Sequence, residues 1–277
     1  MELLDLLVAL LILTGVLGII IGRSFWRKRR RRKLSHQALP DEWRKYIIKN
    51  VPLFSRLPQD LQQRLEGYIM VFLDEKDFEG CQGIEITDEI KVTIAAQACM
   101  LLLNRDEPHY YPKLQTVLVY PRAYIAEGVS RVGSQFIHEQ ESARLGESWL
   151  NGDVILAWDH VKKHAGDFCD GHNVVLHEFA HQLDQEDGAS DGVPILEQRS
   201  HYVVWSRVLG HEYADLCSKV AQHKPDVLDS YGALNPAEFF AVATESFFER
   251  SRQLKEKHPA LYRELKDYYN LDPAEWK

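Results

Sequence analysis

The sequence of 277 residues predicts an α+β fold: a mainly helical domain with a small central sheet, preceded by one N-terminal transmembrane helix. Three observations lead to this prediction. Apolar residues recur at helical spacing on both sides of the middle of the chain, short β-branched runs lie between them, and a long uncharged run opens the sequence. We expect a membrane anchor over residues 1–22, a basic juxtamembrane linker over 23–39 and one domain over 40–277.

The first segment has the composition of a membrane anchor. The sequence carries no charge from Leu6 to Gly22, and residues 3–22 together reach about the 20 residues that a bilayer-spanning helix needs. Basic side chains are concentrated between Arg23 and Lys33, and such an excess marks the cytoplasmic side of a span. We therefore predict a single-pass protein of the inner (cytoplasmic) membrane whose main domain faces the cytoplasm. The flanking charges disfavour a cleavable signal peptide and a buried core helix.

Charge and cysteine content exclude several classes of protein. The formal net charge is −8 although the N-terminal segment is basic, so the remainder of the chain is strongly acidic. An acidic body lacks the basic footprint of a nucleic-acid-binding protein, and we expect no direct contact with nucleic acid. The 4 cysteines are far apart and form no CxxC pair, which excludes a disulfide scaffold and suits a reducing compartment.

The elements before the middle of the chain follow from start signals and periodicity. Pro40 and Asp41 announce a helix start, and two short helices are predicted over residues 43–49 and 58–73. Residues 88–103 are predicted to form a buried helix, because isoleucine, alanine and leucine recur there at spacings of three and four.

The middle of the chain changes to the pattern of strands. Leu114–Pro121 and Asp153–Trp158 are short runs of β-branched and apolar residues bounded by proline and glycine. Residues 129–147 between them are expected to contribute a further strand or an irregular edge. Two or three short strands predict the small central sheet.

The C-terminal part returns to helical periodicity. Helices are predicted over residues 173–186, 195–222, 236–250 and 259–270. Asn173 is a suitable N-cap for the first of them, and Asn235 followed by Pro236 for the third. Helices at both ends and strands in the middle indicate the α+β class.

A short histidine motif lies on the first of these C-terminal helices. His177 and His181 are the first and last residues of the sequence HEFAH. Two histidines four residues apart on a helix can direct a ring nitrogen at the same ion. Glu178 lies beside them, placed to contact a water on the metal rather than the metal itself. The motif predicts a metal-assisted hydrolase with one Zn²⁺ per chain. The alternative is two surface histidines on an ordinary helix.

A catalytic zinc ion needs a third protein ligand, and three carboxylates are candidates. Asp184 follows His181 by three residues on the same helical face, and we interpret it as a carboxylate that orients a histidine. Glu238 and Glu245 share one face of a later helix. Glu238 could instead cap that helix by reaching back to Asn235, and the spacing alone leaves the choice of ligand open.

Three motifs resemble the Mlc titration factor A family of bacterial zinc-dependent peptidases. They are, in the family's order, GESWLNGDVILAW (Gly146–Trp158), HEFAHQLD, and SYGALNPAEFFAVATESFF some fifty residues later. The resemblance covers most of residues 40–275. It implies a zincin-like metallopeptidase domain, since the family's catalytic core is similar to that of anthrax lethal factor. The predicted anchor departs from the family's best-known member.

The resemblance also implies roles for individual residues. By it Glu238 is the third zinc ligand, Tyr231 stabilises the transition state, and His138 upstream of the GxSW stretch is a further zinc residue. Glu178 would be the catalytic base of an aminopeptidase-like activity on short peptide substrates. Family members sequester the glucose repressor Mlc, so a transcriptional repressor is expected as a second partner. The alternative function is repressor sequestration with hydrolysis secondary, and a membrane-bound protease of large proteins is a third interpretation.

Overall fold

The helices and strands follow the predicted order. The computed structural model describes residues 2–105, 108–122, 131–132, 135–136, 152–166 and 171–276. The helices in these ranges are α1 (Glu2–Ser35), α2 (Asp41–Asn50), α3 (Gln59–Glu75), α4 (Asp88–Met100), α5 (Trp158–Gly166), α6 (Val174–Asp184), α7 (Arg199–Ala221), α8 (Pro236–Glu249), α9 (Ser251–Lys257) and α10 (Pro259–Tyr269). The strands are β1 (Asp77–Gly80), β2 (Thr116–Tyr120), β3 (Arg131–Val132), β4 (Gln135–Phe136) and β5 (Asp153–Ala157). The mainly helical α+β class is confirmed.

A small parallel sheet contains the two predicted strands. The order is β1-β2-β5, and both pairs of neighbours are parallel. Val117 pairs with Val154 and Val119 with Leu156, and all four side chains are buried. The prediction missed the edge strand β1. The short antiparallel strands β3 and β4 lie within the stretch 129–147, and the rest of that stretch lies outside the described residues.

The helix that carries the histidine motif lies in the core. α6 packs against α4 on one side and against α8 on another. Phe179 of α6 is fully buried, with its ring centroid 4.8 Å from that of Tyr111 and 5.8 Å from that of Phe72. The apolar side of α6 is therefore fixed by aromatic packing, which leaves the opposite side for the two histidines.

The prediction of a transmembrane anchor is wrong. No helix within the described parts of the chain combines the length and the apolar character that crossing a bilayer requires. The uncharged run that ends at Gly22 is by itself shorter than the about 20 residues of a span. α1 continues without a break through the expected linker to Ser35. The anchor over residues 1–22, membrane contact through residues 3–22 and the localisation derived from them are therefore withdrawn.

Basic residues of α1 contact acidic residues at the end of α3. Arg27 and Arg31 both bind Glu75, with N–O distances of 2.9 and 2.6 Å, and Arg30 lies 2.5 Å from Asp74. Burial raises the pKa of Glu75, but the two guanidinium groups outweigh it and lower this pKa to about 2. Part of the predicted basic run thus serves to hold α1 against the body.

His258 connects three segments at the junction of α9 and α10. Its Nδ1 lies 2.7 Å from Glu212 Oε2, its Nε2 lies 2.7 Å from Asp226 Oδ1, and the side chain is 3% exposed. The imidazole must be protonated to donate to both carboxylates. Burial opposes the charge, but the two carboxylates outweigh it and raise the pKa of His258 above its usual value. Lys219 lies beside them, 2.6 Å from Asp226 Oδ2.

This arrangement makes the contribution of His258 to stability dependent on pH. Because the folded-state pKa is raised, the stabilisation is complete below the unfolded-state pKa of about 6.5 and is lost as the pH rises through the folded-state pKa. We expect His258→Gln to lower the free energy of unfolding by about 1 kcal/mol near pH 6, and by less near pH 9.

Urea unfolding of both proteins across this pH range measures the effect. The matched control is His201→Gln, which makes the same chemical change at an exposed position on α7. A constant difference between wild type and His258→Gln at every pH would contradict the protonated bridge.

Candidate metal centre

The two motif histidines are fixed by the start of α6. The Asn173 side chain caps the helix: its Oδ1 accepts hydrogen bonds from the backbone N–H groups of Val175 and Leu176, at 3.1 and 3.0 Å. One turn of helix then separates His177 from His181, and their ring centroids are 4.8 Å apart. The cap fixes the residue at which α6 begins, and therefore the positions of both imidazoles along the helix.

A second cap positions the carboxylate that meets them. Asn235 Oδ1 accepts a hydrogen bond from the backbone N–H of Glu238 at 2.9 Å, and Pro236 is the first residue of α8. The Glu238 side chain does not need to reach back to the cap. Its Oε2 lies 3.0 Å from His177 Nε2 and 3.4 Å from His181 Nε2.

The spacing of these three atoms fits a zinc ion. The distance between the two histidine Nε2 atoms is 3.2 Å, so all three separations lie between 3.0 and 3.4 Å. Tetrahedral zinc with bonds of about 2.0–2.1 Å places its ligand atoms about 3.3 Å apart. Two imidazoles and one carboxylate are also a donor set used by catalytic zinc sites, which leaves a fourth position for water.

The charges at this site suit a cation. Burial would raise the pKa of Glu238, but His177 and His181 hold it well below its usual range, so the carboxylate is ionised. Burial lowers the pKa of His181, which favours the neutral imidazole that a metal ligand must be. An ionised carboxylate and a neutral imidazole are the protonation states that a divalent ion requires of its ligands.

Glu245 contacts the far side of His177. Its Oε1 lies 2.7 Å from His177 Nδ1, and its other oxygen accepts a hydrogen bond from the backbone N–H of Asn173. Burial lowers the pKa of His177, but Glu238 and Glu245 outweigh it and hold this pKa well above its usual range. A carboxylate on the second ring nitrogen fixes the tautomer and the orientation of a ligand histidine. Glu245 thus makes the histidine contact that the sequence suggested for Asp184.

Asp184 is directed to another part of the fold. It is the last residue of α6 and is completely buried, and its Oδ2 accepts a hydrogen bond from the backbone N–H of Gly192 at 3.0 Å. Burial raises the pKa of Asp184 to about 7. The carboxylate therefore connects the end of α6 to the loop that follows it.

The structure describes two of the three remaining candidate residues. Glu178 is half-buried beside His177 on α6. Tyr231 lies in a 3₁₀ turn over Ser230–Ala233, with its ring centroid 5.8 Å from that of His177. His138 lies outside the described residues, as does the GxSW part of the first family motif.

Sequence reasoning missed the buried network behind the metal centre. Asn173 Nδ2 donates hydrogen bonds to Gln97 Oε1 and to Glu249 Oε1, each at 2.9 Å. The signal was present in α8, where Glu249 lies four residues after Glu245 on a helix whose residues are otherwise mainly apolar. Buried carboxylates in such a helix require polar partners.

Two motif histidines and a carboxylate from a later helix, on a mainly helical α+β domain, fit the donor set of a metal-dependent hydrolase. The chain belongs to the family of glucose-regulated metallo-peptidases M90, whose family model matches residues 25–270. The family resemblance expected from the three motifs is thereby confirmed.

Several relatives cover most of the chain. An uncharacterized protein of Synechocystis sp. is 41% identical over 96% of this chain and 97% of its own length. The protein named Mlc titration factor A from Yersinia pestis is 30% identical over 81% of this chain and 83% of its own length. The same protein from Yersinia pseudotuberculosis matches to the same extent.

Proposed function

We propose that this protein is a zinc-dependent peptidase that hydrolyses short peptides from their amino ends. The observation that carries the proposal is the convergence of His177, His181 and Glu238, whose three donor atoms lie 3.0 to 3.4 Å apart. These residues would hold one zinc ion per chain. Membership in a metallopeptidase family supports a metal-dependent peptidase independently of these distances.

The chain's own side chains would carry the proton steps of hydrolysis. When bound, zinc polarises the scissile carbonyl and makes a water molecule more acidic. Glu178 accepts the proton of the attacking water and delivers it to the leaving amine. Tyr231 donates a hydrogen bond to the oxygen of the former carbonyl as it gains negative charge. Glu245 keeps His177 oriented with its Nε2 toward Glu238 throughout.

The preference for amino ends rests on the loop that follows α6. Residues 185–194 contain several acidic side chains, of which Asp187 and Asp191 are exposed. We infer that this loop borders the cleft and attracts the ammonium group of a substrate. The same loop is expected to contribute little to binding of a blocked peptide.

Hydrolysis of a peptide library by the zinc-loaded protein tests this function. We expect unblocked peptides to lose residues from their amino ends, and the same peptides with acetylated amino ends to resist cleavage. Chelation of zinc should stop the reaction. Internal cleavage of both peptide sets would contradict the aminopeptidase preference, and no cleavage at full zinc occupancy would contradict the peptidase itself.

A second candidate function is binding of a transcriptional repressor of the Mlc type. The observation that favours it is the 30% identity over 81% of this chain to a protein named for titrating Mlc. In this alternative hydrolysis is secondary. Co-sedimentation of the repressor with zinc-free Glu238→Ala protein tests this alternative. Binding of the repressor without zinc would separate the two functions.

A further inference from the structure

A loop glycine connects the two helices that bear the metal-binding side chains. Asp184 ends α6, three residues after His181, and its carboxylate accepts a hydrogen bond from the Gly192 N–H at 3.0 Å. This bond closes the loop between them onto the end of α6. Because Asp184 is fully buried, water does not compete for the bond.

Gly192 in turn lies directly against the start of α8. Its φ is +77°, a conformation that favours glycine, and a Cβ at this position would lie only 2.3 Å from the Pro236 carbonyl oxygen. Only a residue without a side chain fits between Asp184 and Pro236. Because of this close approach, a shift of the loop would also shift the first residue of α8.

The loop is also held from a third direction. Trp205 of α7 donates a hydrogen bond from its Nε1 to the Gly192 carbonyl oxygen at 3.1 Å, and its ring packs against Phe240 of α8 at a centroid distance of 5.8 Å. Trp205 is 2% exposed. Gly192 is thus fixed on its N–H, on its carbonyl and on its Cα, which makes it a rigid spacer.

This spacer lies at the end of α8 that bears the third donor. Glu238 is two residues after Pro236, whereas the Glu245 contact to His177 holds α8 about two turns further along. We propose that Asp184 is a positioning residue which, through Gly192, sets the distance between the α6 imidazoles and the Glu238 carboxylate. The inference rests on the proposed zinc site, since its role is to keep the three donor atoms at the spacing that the ion requires.

Zinc affinity of four full-length variants tests the inference. Asp184→Ala removes the bond to Gly192, and Gly192→Ala keeps the carboxylate but forces the loop away from Pro236. Both should weaken zinc binding about 10- to 100-fold, as loss of an outer partner does, and both should change the absorption spectrum of the Co²⁺-substituted protein. Asp184→Asn retains an acceptor oxygen and should stay within about threefold of wild type. Glu197→Ala, which removes an exposed carboxylate beyond the loop, is the matched control and should change neither.

The double variant Asp184→Ala/Gly192→Ala provides an independent check. If both residues act through one contact, the double variant should lose about as much zinc affinity as the single variant that binds zinc more weakly. Independent effects would instead multiply the two fold-losses. If Asp184→Ala does not fold, Gly192→Ala and Asp184→Asn still decide the question.

Two further outcomes would overturn the inference in distinguishable ways. In the first, Gly192→Ala and Asp184→Ala keep the zinc affinity and the Co²⁺ spectrum of the wild type, and only the melting temperature of the metal-free protein falls. Asp184 would then have a merely structural role. A wild-type protein that binds no zinc would overturn the proposed function itself.

Discussion

Replacement of Glu178 by Gln is expected to lower kcat for peptide hydrolysis by about 10²- to 10⁴-fold while zinc still binds at one ion per chain. The amide keeps the shape of the carboxylate but cannot accept a proton from the attacking water. His177 and His181 on the same helix are unchanged, so the donor atoms of the metal centre stay in place. Metal analysis and steady-state kinetics on the same preparation measure both quantities.

An exposed glutamate provides the control for this substitution. Glu197→Gln makes the same chemical change on the surface after the acidic loop and should leave both kcat and zinc content at wild-type values. Stoichiometric zinc together with near wild-type turnover in Glu178→Gln would remove Glu178 from the catalytic role.

Replacement of Glu238 by Ala is expected to have the largest effect on zinc itself. The Glu238 carboxylate approaches both histidines, at 3.0 and 3.4 Å, so its loss removes one of three donors. Zinc affinity should fall by more than the about 10- to 100-fold that loss of an outer partner costs. Competition with a chelator of known affinity measures the change.

Glu245→Ala is the comparison that makes this experiment decisive. It removes a carboxylate from the same helix and face, but one that contacts His177 through Nδ1. We expect a loss of zinc affinity of about 10- to 100-fold, smaller than that of Glu238→Ala. The reverse order would make Glu245 the ligand and Glu238 the outer partner.

Helix ends were the best predicted part of the fold, because their signals are local. The Asn235-Pro236 start of α8 and the Asn173 cap of α6 lie where the sequence places them. The choice among the carboxylates was not accessible in the same way. Glu238 and Glu245 share a face of α8, and only the packing of α8 against α6 decides which of them lies at Nε2 of His177 and which at Nδ1.

Two predictions missed contacts between distant parts of the chain. The basic run was assigned to a juxtamembrane linker, but Arg27 within it pairs with Glu75, 48 residues later, which no local pattern reveals. The strand β1 was missed because Asp77–Gly80 contains two acidic residues and alternates between exposed and half-buried positions. Its strand conformation depends on pairing with β2.

The separation of the donor residues along the chain has a consequence for the lifetime of the protein. His177 and Glu238 are 61 residues apart in sequence, so an ion bound to both would act as a cross-link that encloses the whole of α7. A link across a loop of this length removes about 4 kcal/mol of conformational entropy from the denatured chain in the loop-closure treatment of covalent links. Loss of such an ion would then leave the chain unfolded more often and therefore more open to proteolysis.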